Sequence, residues 1–359
     1  MEQAIGKILK QSRVSRFSSK PNHRLAIGLI QNGRLLIWSD GQPIAHMESE
    51  DAYEIGSLTK TMTGLLLAIG ERKGYWSATD SLAELVPEWS ASPFAQAATL
   101  HQLVTHTSHL PRIPANFRET VTDKLNPYSN YKEEHLAAAV LAENKKPSSP
   151  KHLYSNYGFG LLGWILARRL GLSLGELLQE HILKPLGMNA TKLRAREQSS
   201  TQSLPPVFNA KGSAVPHWDF HEAMAGAGAV CSTMPDMLRY IQAQLGQADE
   251  ALHLAIQHSQ KEHHPLLKSR GIGVGYAWMF YKEKDGSTTY WHNGGTYGST
   301  SFLSFNPQHG AGFVILSNYG TDIRSQLPLI GINRMNVDKL ARIISADLYR
   351  NAKIPARYS

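Results

Sequence analysis

The stretch Ile55-Gly56-Ser57-Leu58-Thr59-Lys60 puts a serine at the mouth of a helical pattern and a lysine three residues later. From Ser57 to Lys73, Leu58, Met62, Leu65, Leu66 and Ile69 recur at helical spacing, and the broad apolar face predicts a buried helix. Residues i and i+3 share a helix face, so the Lys60 amine can reach the Ser57 hydroxyl. A serine hydroxyl is a weak nucleophile until a neighbouring base takes its proton. An amine does so only where burial or positive neighbours lower its pKa. The helix N-terminus also offers backbone N–H groups to a developing oxyanion. Ser57 is therefore the candidate nucleophile and Lys60 the candidate base.

The same spacing recurs at Ser129/Lys132 and Ser148/Lys151, but in polar stretches flanked by Pro or Asn, where a lysine stays hydrated. A second element is Tyr154-Ser155-Asn156, followed by the small-residue run Tyr157-Gly158-Phe159-Gly160-Leu161-Leu162-Gly163. A tyrosine beside Lys60 can carry a proton between hydroxyl and leaving group. Asn156 can hydrogen-bond Lys60 and a substrate amide. A second copy, Tyr128-Ser129-Asn130, runs into Lys132-Glu133-Glu134, and Tyr154 is preferred because small residues permit close helix packing at a buried site.

A third element, His292-Asn293-Gly294-Gly295, ends an expected strand. Glycines there let a substrate backbone approach. Asn293, Gly294, Gly295 and Thr296 are expected to bind substrate, and the Gly295 N–H to join that of Ser57 in an oxyanion hole. Lys284-Asp285-Gly286 has a similar look but falls at a turn.

Working outward, Arg24 to Ile30 and Arg34 to Ser39 are apolar-rich strands joined by Asn32-Gly33, a hairpin signal. Helical patterns follow at Leu100 to Thr107, Glu133 to Asn144, Tyr157 to Leu170, Leu174 to Ile182 and Pro235 to Leu245. Strands return at Tyr276 to Lys282, Ser287 to His292, Ser299 to Asn306 and Ala311 to Ser317, before a helix from Val337 to Tyr349. This order predicts an α+β fold in which N- and C-terminal strands pair in one antiparallel sheet. Residues 1–77 and 271–359 form the sheet lobe, residues 78–270 a mainly helical lobe, and the active site lies in the cleft between. Residues 1–20, with Lys7, Lys10, Arg13, Arg16 and Lys20, are expected to be a flexible basic tail.

The net charge of the 359-residue chain is +8, but its basic residues are scattered, with no run of Lys/Arg alternating with aromatics. That argues against a nucleic acid or membrane-surface partner and leaves a small-molecule or peptide substrate. The single cysteine, Cys231, excludes an intrachain disulfide and a Cys-rich zinc site. His106/His109 and His217/His221 have the spacing of helical ligands, but without His-Glu-x-x-His no metal is expected. Trp218, Tyr276, Trp278 and Tyr297 either line the cleft or fill the core. The longest apolar runs, Gly64 to Gly70 and Phe159 to Ala167, are too short for a bilayer, and the first 25 residues lack a long apolar segment. As it stands the chain reads as cytoplasmic, or as exported if a signal segment has been removed.

Taken in order, Ser-x-x-Lys, Tyr-x-Asn and His-x-Gly resemble the penicillin-recognising serine hydrolases, in the branch of class C β-lactamases, low-molecular-weight D,D-peptidases, D-aminopeptidases and related esterases. Leu103-Val104-Thr105-His106-Thr107-Ser108, Ile182-Leu183-Lys184-Pro185-Leu186-Gly187-Met188 and Ala227-Gly228-Ala229-Val230-Cys231-Ser232-Thr233 through Asp236 are similar to further family segments. The resemblance implies an antiparallel sheet of about five strands flanked by helices, and acylation and deacylation of one serine without metal or organic cofactor. It implies Ser57 as nucleophile, Lys60 and Tyr154 sharing acid/base work, and Asn156 and His292 assisting. The expected substrate is an amide or ester: a D-residue peptide, a short ester or, weakly, a β-lactam. The alternative is a penicillin-binding sensor with little turnover. Three departures stand out: His292 where many relatives have lysine, His109 in place of a glycine, and Ser149-Pro150 in place of Pro-Gly.

Overall fold

Along Leu25–Gln31, Leu25, Ile27 and Leu29 enter one apolar cluster while Ala26 and Ile30 enter another. The period-two pleat sends successive side chains to opposite faces, so this strand has a core on each side. A computed structural model describes residues 2–39, 42–44, 51–144, 146–147, 150–194, 204–321 and 335–350. Its strands are β1 (Leu25–Gln31), β2 (Arg34–Ser39), β3 (Gln42–Ile44), β4 (Ala52–Glu54), β5 (Lys192–Leu193), β6 (Val207–Phe208), β7 (Ala214–Val215), β8 (Val230–Thr233), β9 (His264–Leu267), β10 (Ile272–Val274), β11 (Met279–Lys282), β12 (Thr288–Gly295), β13 (Thr300–Asn306) and β14 (Ala311–Ser317). The helices are α1 (Glu2–Leu9), α2 (Ser12–Ser18), α3 (Thr59–Lys73), α4 (Leu82–Leu85), α5 (Pro93–Ala97), α6 (Leu100–Val104), α7 (Glu133–Ala142), α8 (Asn156–Leu170), α9 (Leu174–Leu178), α10 (Glu222–Ala225), α11 (Met234–Gln244), α12 (Glu250–Gln260) and α13 (Val337–Arg350).

The main sheet has nine strands in the order β3-β2-β1-β14-β13-β12-β11-β10-β9, every neighbouring pair antiparallel. As expected, the N-terminal hairpin joins the C-terminal strands, with Leu25 opposite Ser317 and Gln31 opposite Ala311. The count exceeds the expected five, and the three strands beyond the six read from the sequence are β3, β9 and β10, each three or four residues long. Alternation cannot reveal so short a strand. The sheet also reaches back to His264, before residue 271, where the sequence put the lobe boundary. On one face α11 packs on β1 and β14, and α12 packs on α3. That core runs without a break into the helical lobe, from Val314 and Leu316 through Leu65 and Leu66 to Leu103 and Leu161. A three-stranded sheet, β4-β8-β5, ties the segment before Ser57 to the one before α11.

On the other face α13 packs together with the first 20 residues. The expected flexible tail is corrected: α1 and α2 bury Ile5, Ile8, Val14 and Phe17 against Ile27, Leu29, Phe313 and Ile315. Their basic residues Lys7, Lys10 and Arg16 remain exposed. In so short a stretch those charges mask the apolar spacing. Phe17→Ala should therefore lower unfolding stability by about 3 kcal/mol, the usual cost of emptying a buried aromatic site. Urea denaturation checks this; a midpoint equal to that of the native protein would mean the segment does not pack.

Candidate active site

Ser57 lies in a single 3-10 turn, Gly56–Leu58, that leads into α3. This turn passes so close to β12 that side chains are not tolerated. A Cβ on Gly294 would stand 2.1 Å from the Ile55 carbonyl oxygen, 2.5 Å from Ser301 Oγ and 3.0 Å from the Ser57 nitrogen. Gly56 has φ +51°, in the left-handed region, and its Cβ would lie 2.5 Å from the Gly295 nitrogen. Two glycines thus let the Ser57 turn and the Gly295 backbone, which carry the two expected oxyanion donors, pass close to one another.

Lys60 is fully buried, and its Nζ lies 3.0 Å from Ser57 Oγ and 2.6 Å from the Ala227 carbonyl oxygen. Burial first, and then the Arg112 charge, holds this amine well below its ordinary pKa. No carboxylate pairs with it among the described residues. Its other neighbours are rings: Nζ is 5.0 Å from the Tyr154 centroid and 5.8 Å from that of Phe159. Tyr154 is half-buried, and burial pushes its phenol up to about 12, against the opposing effects of a hydrogen bond to Ser57 and of Arg112. The phenol is therefore protonated at neutral pH, with Ser57 and Lys60 beside it.

Asn156 starts α8 behind the Ser155 N-cap. Its Nδ2 donates to the Tyr128 hydroxyl at 2.9 Å rather than contacting Lys60, and its buried Oδ1 has no partner among the described residues. The second Tyr-x-Asn copy thus also reaches the site, through Tyr128, which stacks on Phe220 at 4.8 Å. Its own serine and lysine do not: Ser129 Oγ donates to Asn126 O and Lys132 is exposed. Ser148 and Ser149 lie outside the described residues. Lys284-Asp285-Gly286 is a turn, with Gly286 at φ +84°.

On β12, His292 is buried, and its ring centroid lies 6.4 Å from that of Tyr154. Burial, and next the Lys60 charge, lowers its pKa to about 3, so the ring is neutral. Two expected substrate-binding residues are placed elsewhere. Asn293 sits on the opposite face of β12, donates to Asp338 Oδ1 at 3.1 Å, and lines a separate cavity of about 690 Å³ beside α13. The pleat that turns His292 inward turns Asn293 out. Thr296 donates its hydroxyl to the buried Glu54 at 2.9 Å and accepts the Gly298 and Ser299 N–H groups, so it closes a loop.

Four residues not expected in these places complete the site. Arg112 holds its guanidinium 5.4 Å from the Tyr154 ring centroid. Glu54 anchors both Thr296 and the Trp218 N–H, the latter at 2.6 Å. Tyr128 supports Asn156. His106, at φ +60°, accepts the Ser155 N–H on Nδ1 and the Leu153 N–H on its carbonyl, while its ring lies 4.6 Å from that of Tyr154. It thereby grips the chain on both sides of Tyr154. Of the four aromatics left open, Tyr276 and Trp278 are core, whereas Trp218 and Tyr297 meet edge-to-face at 5.1 Å, Tyr297 being 42% exposed. Cys231 is buried, and burial raises its thiol pKa. Among the described residues no group of three His, Cys, Asp or Glu side chains could hold a metal ion.

Residues 22–328 match the family described as Beta-lactamase. The chain belongs to that family. Among curated relatives, this family member is 28% identical over 282 residues to the D-alanyl-D-alanine-carboxypeptidase/endopeptidase AmpH of Escherichia coli (strain K12), covering 75% of this chain and 71% of that protein. A solved class C β-lactamase superposes with a TM-score of 0.76 at 20% identity, over 96% of this chain and 97% of that one. The D-alanine carboxypeptidase AmpC from Burkholderia cenocepacia gives 0.73 at 19% identity, over 96% and 99%. At that identity the two structures establish the fold: α+β and class C β-lactamase-like.

Gly294→Ala should cost about 1–3 kcal/mol of stability, since the Ile55 carbonyl cannot yield like a flexible side chain. Urea denaturation measures it, and an unchanged midpoint would show that β12 does not press on the Ser57 turn.

Proposed function

We propose that this member of a serine-hydrolase-type family works through an acyl-enzyme on an amide or ester bond. The observation that carries the reading is the buried Lys60 amine 3.0 Å from Ser57 Oγ, with the Tyr154 phenol alongside. Ser57 Oγ attacks the substrate carbonyl carbon while its proton passes to the Lys60–Tyr154 pair. The resulting oxyanion is held by the Ser57 and Gly295 N–H groups. Collapse breaks the bond to the leaving group, which takes the proton from the pair. Water then attacks the ester carbonyl, its proton goes to the same pair, and Ser57 regains a proton as the acid departs.

Lys60 suits the base role because its ammonium would be dehydrated and faces Arg112. A D-residue peptide fits the curated relative's description as a D-alanyl-D-alanine carboxypeptidase and endopeptidase, and a short ester would use the same acyl-enzyme chemistry. The neutral His292 stands where many relatives have a lysine cation on β12, which disfavours efficient action on a β-lactam. A sensor with slow turnover would keep the same residues, and the size of the acyl burst against the steady-state rate separates the two.

Ser57→Ala is expected to abolish labelling by a fluorophosphonate or a fluorescent penicillin while leaving the circular dichroism spectrum unchanged; full labelling of that variant would sink the assignment. Tyr154→Phe should slow acylation by about 10²–10⁴-fold, the usual worth of a general acid–base. Tyr128→Phe, one step removed, should cost less, and the reverse ranking would exchange the roles of the two tyrosines.

The rate of acylation by a neutral ester should rise with pH as Lys60 loses its proton. Arg112→Gln removes a positive neighbour, makes the ammonium easier to keep, and should move that acid limb to higher pH. A limb that stays in place or moves down would remove Lys60 from the base role.

A further inference from the structure

Arg112 is an exposed residue on a fixed frame. Its backbone carbonyl accepts the N–H groups of Asn156 at 2.9 Å and Tyr157 at 3.1 Å, and the carbonyl of Pro111 takes the Ser155 hydroxyl at 2.6 Å. The loop that carries it is therefore locked to the first turn of α8, the same turn that presents Asn156. The guanidinium lies 5.4 Å from the Tyr154 ring centroid. A guanidinium held by an aromatic ring keeps a fork of N–H donors matched to a carboxylate.

Among the described residues no carboxylate pairs with this cation. The buried acid Glu54, before Ser57 in the chain, is engaged by Trp218 and Thr296. On the β12 side His292 is neutral. Lys60 is buried and bonded to Ser57 and Ala227. A permanent positive charge thus stands over the Tyr154 ring on the helical-lobe wall. The Arg112 charge acts on Lys60, Tyr154 and Tyr128, the groups that surround the bond to be broken.

We propose that Arg112 is a substrate-anchoring residue on the helical-lobe wall, and that the preferred substrate carries a carboxylate that docks on its guanidinium. This rests on the acyl-enzyme reading of Ser57. The anion is thereby received across Tyr154 from β12. One N–H···O pair, or two in bidentate form, joins the guanidinium to the carboxylate.

Two matched pairs of esters test it: p-nitrophenyl hemisuccinate against p-nitrophenyl butyrate, with the charge on the acyl side, and 3-acetoxybenzoate against phenyl acetate, with the charge on the leaving side. A third arm needs no turnover: protection of Ser57 from a fluorophosphonate by 3-carboxyphenylboronic acid against phenylboronic acid. The native protein should favour the charged member of at least one ester pair and of the boronate pair. Arg112→Gln should lower that preference by about tenfold or more, the worth of a charge-assisted bond, with Arg112→Lys in between. Taking the ratio within a pair cancels the effect of Arg112 on Lys60, which touches both members alike. Normal Ser57 labelling with an unchanged charged-to-neutral ratio in Arg112→Gln overturns the anchoring role. Failure of the native protein to label at Ser57 sinks the acyl-enzyme reading, and the anchoring proposal falls with it.

Discussion

A lysine amine without solvent and, among the described residues, without a carboxylate partner is the constraint around which this molecule is arranged. Taking an ammonium out of water costs several kcal/mol unless it is paired or gives up its proton. Here the surroundings favour the second outcome: Nζ meets a carbonyl oxygen, a serine hydroxyl and two aromatic rings, with a guanidinium nearby. Those partners come from distant parts of the chain. Ser57 and Lys60 are on the turn into α3, Ala227 follows α10, Tyr154 precedes α8, and Arg112 follows α6. The amine is therefore dry only once these segments have come together in the folded chain.

The second constraint is how closely β12 approaches the serine turn. Gly294 and Gly56 are there because any Cβ at either place would strike backbone. Backbone does not yield as a flexible side chain does, so the approach of β12 to the serine turn is fixed at these two glycines. Glu54 and Thr296 fasten the loop just after β12 to the strand just before Ser57. The charge pattern follows the same division of labour. On β12 His292 is neutral, and the helical wall carries the Arg112 guanidinium.

Much of this was legible in the sequence because it is local. The i, i+3 spacing of Ser57 and Lys60 places both on one helical face whatever the rest of the chain does. The hairpin at Asn32-Gly33 and the strands Arg34–Ser39 and Ala311–Ser317 follow from alternation and turn chemistry, and α8 and α13 from apolar period. The roles of Arg112, His106, Glu54 and Tyr128 were not legible, since each acts on a partner tens or hundreds of residues away, with no spacing to betray it. Asn293 is the instructive error. Strand parity alone would have sent it to the face opposite His292, but a four-residue motif read as a unit hides the alternation.

The sequence by itself determined the local geometry of the serine helix, the pairing of terminal strands and the family resemblance, because hydrogen-bonded periodicity and turn preferences act over a few residues. Only the tertiary structure decided that Lys60 is dry, that Tyr154 rather than Tyr128 stands beside it, that Asn293 faces away, and that the first 20 residues pack as helices. Dehydration, ring contact and burial are properties of surfaces brought together, and no stretch of chain carries them alone.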